Sequence, residues 1–160
     1  AIEARRGKDF KPQHCVLAQL CDEAASGMSM PGDDRVVRVE HQDPTLVLWV
    51  DPDKMRQVLN NLLSNALRHT PQGGRVSVAI VRQEGQLLLR VENTGDTIPA
   101  RHLARLFERF YRADPSRQHA SGEGTGLGLA ITQAILRAHR GEVSAASEGG
   151  LTVFTLRFPF

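Results

Sequence analysis

The stretch Asp51 to Thr70, DPDKMRQVLNNLLSNALRHT, constrains the fold more than any other segment, because it carries a start signal, a stop signal and a two-faced interior. Asp51 reads as an N-cap and Pro52 as the first helical residue, where a missing N–H costs nothing. Thr70-Pro71-Gln72-Gly73-Gly74 ends the helix. On a wheel of ~100° per residue with Asn61 at the origin, Lys54, Gln57, Asn65 and Arg68 fall within about 40° of it. Met55, Leu59, Leu62, Leu63 and Ala66 lie on the other side and read as a core face. Asparagine costs a helix up to ~0.7 kcal/mol relative to alanine, so Asn60, Asn61 and Asn65 in one helix need a reason beyond solubility. A ligand surface is one reason; a solvated face is the other.

Around this helix the chain alternates without a regular beat. Val16 to Met28 has helical spacing in Val16, Leu17, Leu20 and Ala24, and ends before a Met-Pro-Gly-Asp turn. Val36 to Glu40, Thr45 to Val50, Val76 to Arg82 and Leu87 to Glu92 read as strands. Pro99 to Phe107 predicts a short helix and Thr125 to Ala138 a longer one. Glu142 to Ser147 and Thr152 to Phe158 form a closing hairpin through Glu148-Gly149-Gly150. The mixture predicts an α+β, two-layer sandwich: a mixed sheet of about five strands with about three helices on one face. Tyr111 to Thr125 is the least regular segment and a candidate mobile loop.

At 160 residues the chain supports one domain with a sizeable core. The net charge of +2 gives no argument for nucleic acid. No run approaches the ~20 apolar residues of a membrane span, and the N-terminus AIEARRGKDF has no signal-peptide core, which predicts a soluble piece. Cys15 and Cys21 lie outside any C-x-x-C pattern and read as reduced, packed thiols.

Four features can carry chemistry. Asn65 offers a carbonyl of the kind a hard cation such as Mg²⁺ accepts, with phosphates supplying the charge and Lys54 and Arg68 offsetting it. Gly122-Glu123-Gly124-Thr125-Gly126-Leu127-Gly128-Leu129 opens directly into an apolar helix, so its N–H groups can bind phosphate; a flexible turn at a helix start is the alternative. It is neither a G-x-x-x-x-G-K-[ST] loop nor a glycine fingerprint after a strand. Between them, VENTGDTIP runs from a strand into a turn, where a polar side chain can meet a base edge. Leu106 to Arg112 then concentrates Phe107, Phe110 and Tyr111 beside two arginines, which suits either a lid anchor or core packing.

In order and spacing, these elements closely resemble the catalytic ATP-binding domain of bacterial sensor histidine kinases, in the superfamily shared with gyrase, Hsp90 and MutL-type ATPases. DPDKMRQVLNNLLSNALRHTPQGG looks like that family's N box, VENTGDTIP its G1 box, LFERFYR its F box and GEGTGLGLAIT its G2 box. The resemblance implies a Bergerat-type fold with a flexible ATP lid. It implies Mg²⁺ on Asn65, with Asn61 as its helper, and Arg68 and His69 facing the phosphates. Arg112 would approach the γ-phosphate. Gly122, Gly124, Thr125, Gly126 and Gly128 would wrap the phosphate chain, Asn93 and Gly95 would belong to the adenine turn, and Ile98, Phe110 and Leu127 would line the ring. The usual D-x-G-x-G is altered here to Asn93 and Thr97, a V-E-N-x-G variant that resembles heavy-metal, particularly copper-responsive, sensors. A neutral acceptor is worth ~0.5 to 1.5 kcal/mol against ~1.5 to 3 for a charged one, so weakened ATP binding is expected.

No histidine has the surroundings of an H-E-L-R-T-P phosphoacceptor. The resemblance therefore implies that residues 1–9 are a linker from a missing dimerisation domain and 10–160 the catalytic domain. The whole protein would be a homodimeric inner-membrane kinase with this portion in the cytoplasm, relaying phosphate to a response regulator. Alone, the chain should bind ATP without phosphorylating itself efficiently. Two other functions compete: a gyrase- or MutL-type clamp, whose E-x-x-x-N glutamate is replaced here by Asn61, and a nucleotide-binding module with weakened activity.

Overall fold

The computed structural model describes residues 10–28, 30–111 and 128–160. Strand β1 (Gln13–Val16) leads into helix α1 (Leu17–Met28), followed by β2 (Val36–His41), β3 (Val47–Val50) and the asparagine helix α2 (Pro52–Arg68). Next come β4 (Arg75–Gln83), β5 (Gln86–Thr94), the short α3 (Ala100–Leu103), α4 (Gly128–Ala138) and the hairpin β6 (Glu142–Glu148) and β7 (Leu151–Pro159).

A five-stranded sheet runs β2-β4-β5-β7-β6, parallel between β2 and β4 and antiparallel elsewhere. Val78 pairs with Val91 and Val91 with Phe154, so alternate residues of three strands build one apolar face. Helices α1 and α4 each pack against the central α2, and all three pack on the sheet, as the α+β reading expects. Met55, Leu59, Leu62, Leu63 and Ala66, the predicted core face of α2, are each 0% exposed. Fully burying side chains of this size stabilises by about 1.5 to 3 kcal/mol each, which is what seats the helix.

Asp51 caps α2: its Oδ1 accepts the N–H groups of Asp53 and Lys54 at 3.0 and 3.2 Å, and Pro52 is the first helical residue. Burial pushes the Asp51 carboxyl up, but the backbone donors of Lys11, Lys54 and Asp53 outweigh it and hold it below the usual carboxylate range.

Two local expectations need correction. Gln13–Val16, read as lead-in and helix start, is a strand pairing antiparallel with β3. The predicted Pro99 to Phe107 helix shrinks to Ala100–Leu103, because the residues beyond it turn back to the core: Phe107 meets the Phe154 ring edge-on, with centroids 6.1 Å apart. Cys15 and Cys21 are free thiols, and burial raises the pKa of Cys21 to about 12.

Candidate functional site

The polar face of α2 and the turn after β5 meet at the C-terminal end of the helix. Asn61 donates from Nδ2 to the Gly128 carbonyl at 3.2 Å, tying mid-α2 to the first residue of α4. One turn on, Arg68 donates from Nη2 to Asn65 Oδ1 at 2.9 Å, so the carbonyl proposed for a cation is held by a guanidinium. His69 is the C-cap, its N–H shared between the carbonyls of Asn65 and Ala66. Lys54, expected to offset the phosphates from the same face, lies two turns before Asn61 and lines a hollow at the helix N-terminus with Lys11, Gln13 and Gln57.

The turn after β5 is braced from two sides. A Cβ on Gly95 would lie 2.4 Å from the His69 carbonyl oxygen, so only glycine lets β5 approach the end of α2 this closely. On the other side, Gly95 N–H donates to the Gly150 carbonyl at 3.0 Å, and Gly150 N–H donates to Thr97 Oγ1 at 3.0 Å. Thr97, one of the two departures from the D-x-G-x-G pattern, thus bonds the turn to the β6–β7 hairpin. Ile98 N–H donates to Ser147 Oγ at 2.8 Å, and Ser147 in turn pairs with Thr152.

Asn93 is 3% exposed and pairs across the sheet with Val76 and Thr152. Its Nδ2 donates to the Thr94 carbonyl at 3.3 Å. With the nitrogen so engaged, its Oδ1 is the atom left to accept from a ligand. Beyond the turn, Tyr111 bonds His102, and its ring lies under Arg105, 4.4 Å from the centroid. Phe110 takes φ 65° and is 68% exposed, so no described residue buries its ring.

The structure therefore places Asn61, Asn65, Arg68, His69, Gly95 and Gly128 along the C-terminal half of α2, from its middle at Asn61 to its end at His69, with Asn93 and Ile98 on the adjoining turn. Arg112, Gly122, Gly124, Thr125, Gly126 and Leu127 lie outside the described residues. Polar neighbours absent from the sequence reading are Ser147, Thr152 and the fully buried Thr132, whose Oγ1 donates to the Gly128 carbonyl at 2.9 Å. A hydroxyl four residues after Gly128 in an apolar helix was the signal for the last.

Residues 50–160 match the family described as histidine kinase-, DNA gyrase B-, and HSP90-like ATPase. The chain is 52% identical over 109 residues to the probable sensor kinase SilS of Salmonella typhimurium, covering 68% of this chain and 22% of that protein. It is 43% identical over 127 residues to the sensor histidine kinase CusS of Escherichia coli K12, covering 79% and 26%. The chain thus spans about a quarter of the length of these relatives. Among solved structures, the catalytic domain of histidine kinase ThkA superposes with a TM-score of 0.81 at 23% identity, over 93% of this chain and 95% of that one, and shows the same fold.

Proposed function

Because the chain belongs to the histidine kinase-, DNA gyrase B-, and HSP90-like ATPase family, we propose that it is the catalytic domain of a sensor histidine kinase. It would bind ATP with Mg²⁺ and pass the γ-phosphoryl group to a histidine on a dimerisation domain of the same protein, for relay to a response regulator. Residues 10–160 are then the catalytic domain and 1–9 its linker. The longer protein would be a homodimeric membrane kinase, and the V-E-N-x-G turn supports a metal-responsive sensor.

The observation that carries this reading is the alignment of Asn61, Asn65 and Arg68 along the C-terminal half of α2, between the start of α4 at Asn61 and the braced turn at the helix end. Among the described residues no three His, Cys, Asp or Glu side chains gather into a metal centre, so the cation would rely on Asn65 and on phosphate oxygens. The donor fits: Asn65 Oδ1 already faces a positive charge, that of Arg68 at 2.9 Å. Bound Mg²⁺ would supply charge neutralisation along the phosphates. Arg68, displaced from Asn65, and His69 would turn to phosphate oxygens. Asn93 Oδ1 would accept from the adenine amino group, with Ile98, Phe110 and Leu127 against the ring. Gly122 to Gly128 would supply N–H groups to the phosphates and Arg112 would stabilise charge on the transferring group. Asn61, where a clamp ATPase carries glutamate, is a donor here and cannot activate water. That favours phosphoryl transfer over hydrolysis.

Calorimetric titration with a non-hydrolysable ATP analogue tests the proposal. Binding should require Mg²⁺ and fall at least tenfold in Asn65→Ala, about 1.4 kcal/mol. Equal affinity without Mg²⁺ or without Asn65 would overturn it.

A further inference from the structure

Besides packing against each other, helices α2 and α4 are tied, among the described residues, by side-chain hydrogen bonds at two points. Near the candidate site Asn61 bonds Gly128; at the far end Asp51 N–H donates to His139 Nε2 at 3.0 Å, while His139 Nδ1 donates to the Ile135 carbonyl at 2.8 Å. From Asp51 to Asn61 the chain rises ~15 Å, and from Gly128 to His139 ~16 Å, at about 1.5 Å per residue. The matched intervals make the antiparallel pair a two-rung ladder, and two rungs stop α4 both sliding and pivoting on α2.

The far rung is also where the chain enters. Lys11 N–H donates to Asp51 Oδ2 at 2.9 Å, and the Phe10 ring meets the His139 ring edge-on, with centroids 4.9 Å apart. Pro12 follows and biases Lys11 to an extended backbone, which suits this seating. Two consecutive residues thus close over both partners of one part-buried rung, in which Asp51 is only 4% exposed and His139 is half-buried.

The geometry points to Phe10–Lys11 as a latch: seated on Asp51 and His139, it fixes the far end of the ladder and so sets the position of Gly128 at the near end. When the latch lifts, water reaches Asp51 Oδ2 and the exposed side of His139. The far rung loosens and α4 pivots on the Asn61 contact. A pull or twist on the segment before residue 10 would thereby reach the site without touching it, and binding at the site would reciprocally tighten the latch. That Gly128 serves a nucleotide rests on the proposed function; the ladder and latch do not.

Lys11→Pro, which removes the donor, and Phe10→Ala test this in the 160-residue chain, since neither residue belongs to the candidate site. Hydrogen exchange without nucleotide should rise several-fold at amides in the first turns of α4, and affinity for the Mg²⁺-bound ATP analogue should fall roughly fivefold, at the low end of allosteric couplings. Exchange that changes only around residues 10–13 and 51–54, with α4 unaltered, would overturn the inference. If the unaltered chain bound no nucleotide, the proposed function would fail, and the exchange at α4 would still decide the latch.

Discussion

Asn61 Nδ2 and Thr132 Oγ1 converge on a single acceptor, the Gly128 carbonyl, at 3.2 and 2.9 Å. The first residue of α4 is therefore pinned by side chains from its own helix and from α2. Asn61→Asp removes the donor and sets a carboxylate against that carbonyl. The expected cost is about 1 to 3 kcal/mol in urea unfolding, together with weaker nucleotide binding. An Asn61→Asp domain as stable as the parent would mean that the contact does not hold α4.

The buried Asn93 gives a prediction with opposite signs in two states. Asn93→Asp loses the donor to the Thr94 carbonyl and buries a carboxylate, so without nucleotide the domain should lose about 1 to 3 kcal/mol. With ATP, a charged acceptor for the adenine amino group should tighten binding about tenfold, the ~1.4 kcal/mol separating charged from neutral hydrogen bonds. Thermal melts with and without nucleotide separate the two effects. Failure to gain affinity would remove Asn93 from adenine recognition.

Gly95 is the position where added bulk should matter most. A methyl group there would sit 2.4 Å from the His69 carbonyl, a backbone atom that cannot rotate away. Gly95→Ala should push the end of α2 from the turn, costing about 1 to 3 kcal/mol as overpacking does and weakening nucleotide binding as well. Gly85→Ala is the control for glycine loss at positive φ, since nothing lies within 4 Å of its added Cβ. If both variants bind nucleotide alike, close approach at Gly95 is not what shapes the site.

Elements whose signals are local were legible. The Asp51-Pro52 start and the Pro71-Gln72-Gly73-Gly74 stop bracket α2, which runs Pro52–Arg68, and its wheel separated the core side from the Asn61 side. Strand β1 was not legible, because Gln13-His14-Cys15-Val16 has weak alternation and gains its structure from pairing with Val47–Val50, far along the chain. The bond between Asp51 and His139 spans 88 positions and joins residues whose neighbourhoods announce nothing. Thr97 looked like a loss of glycine, yet its hydroxyl accepts the Gly150 N–H. That role exists only once the β6–β7 hairpin is folded beside it.

Acid should act through carboxylates held ionised by neighbours, Asp33 and Asp51 among them. The Arg35 side chain and backbone N–H bond Asp33 and lower its pKa from 3.8 to about 2. In Asp51 burial opposes ionisation, yet the N–H groups of Lys11, Lys54 and Asp53 prevail and its pKa also falls. A carboxyl whose pKa is depressed on folding binds its proton more readily in the unfolded chain, so its stabilisation is complete above about pH 4 and is lost as pH falls through the folded value. Stability from urea unfolding should therefore be insensitive to these groups at pH 7 and decline between about pH 4 and pH 2. Asp51→Asn keeps a capping oxygen but forfeits the charge-assisted bonds, and should cost about 1 kcal/mol at pH 7. The difference from the parent should shrink on acidification, as the parent's Asp51 becomes protonated. A difference that stayed constant down to pH 2 would assign the loss to shape rather than to charge.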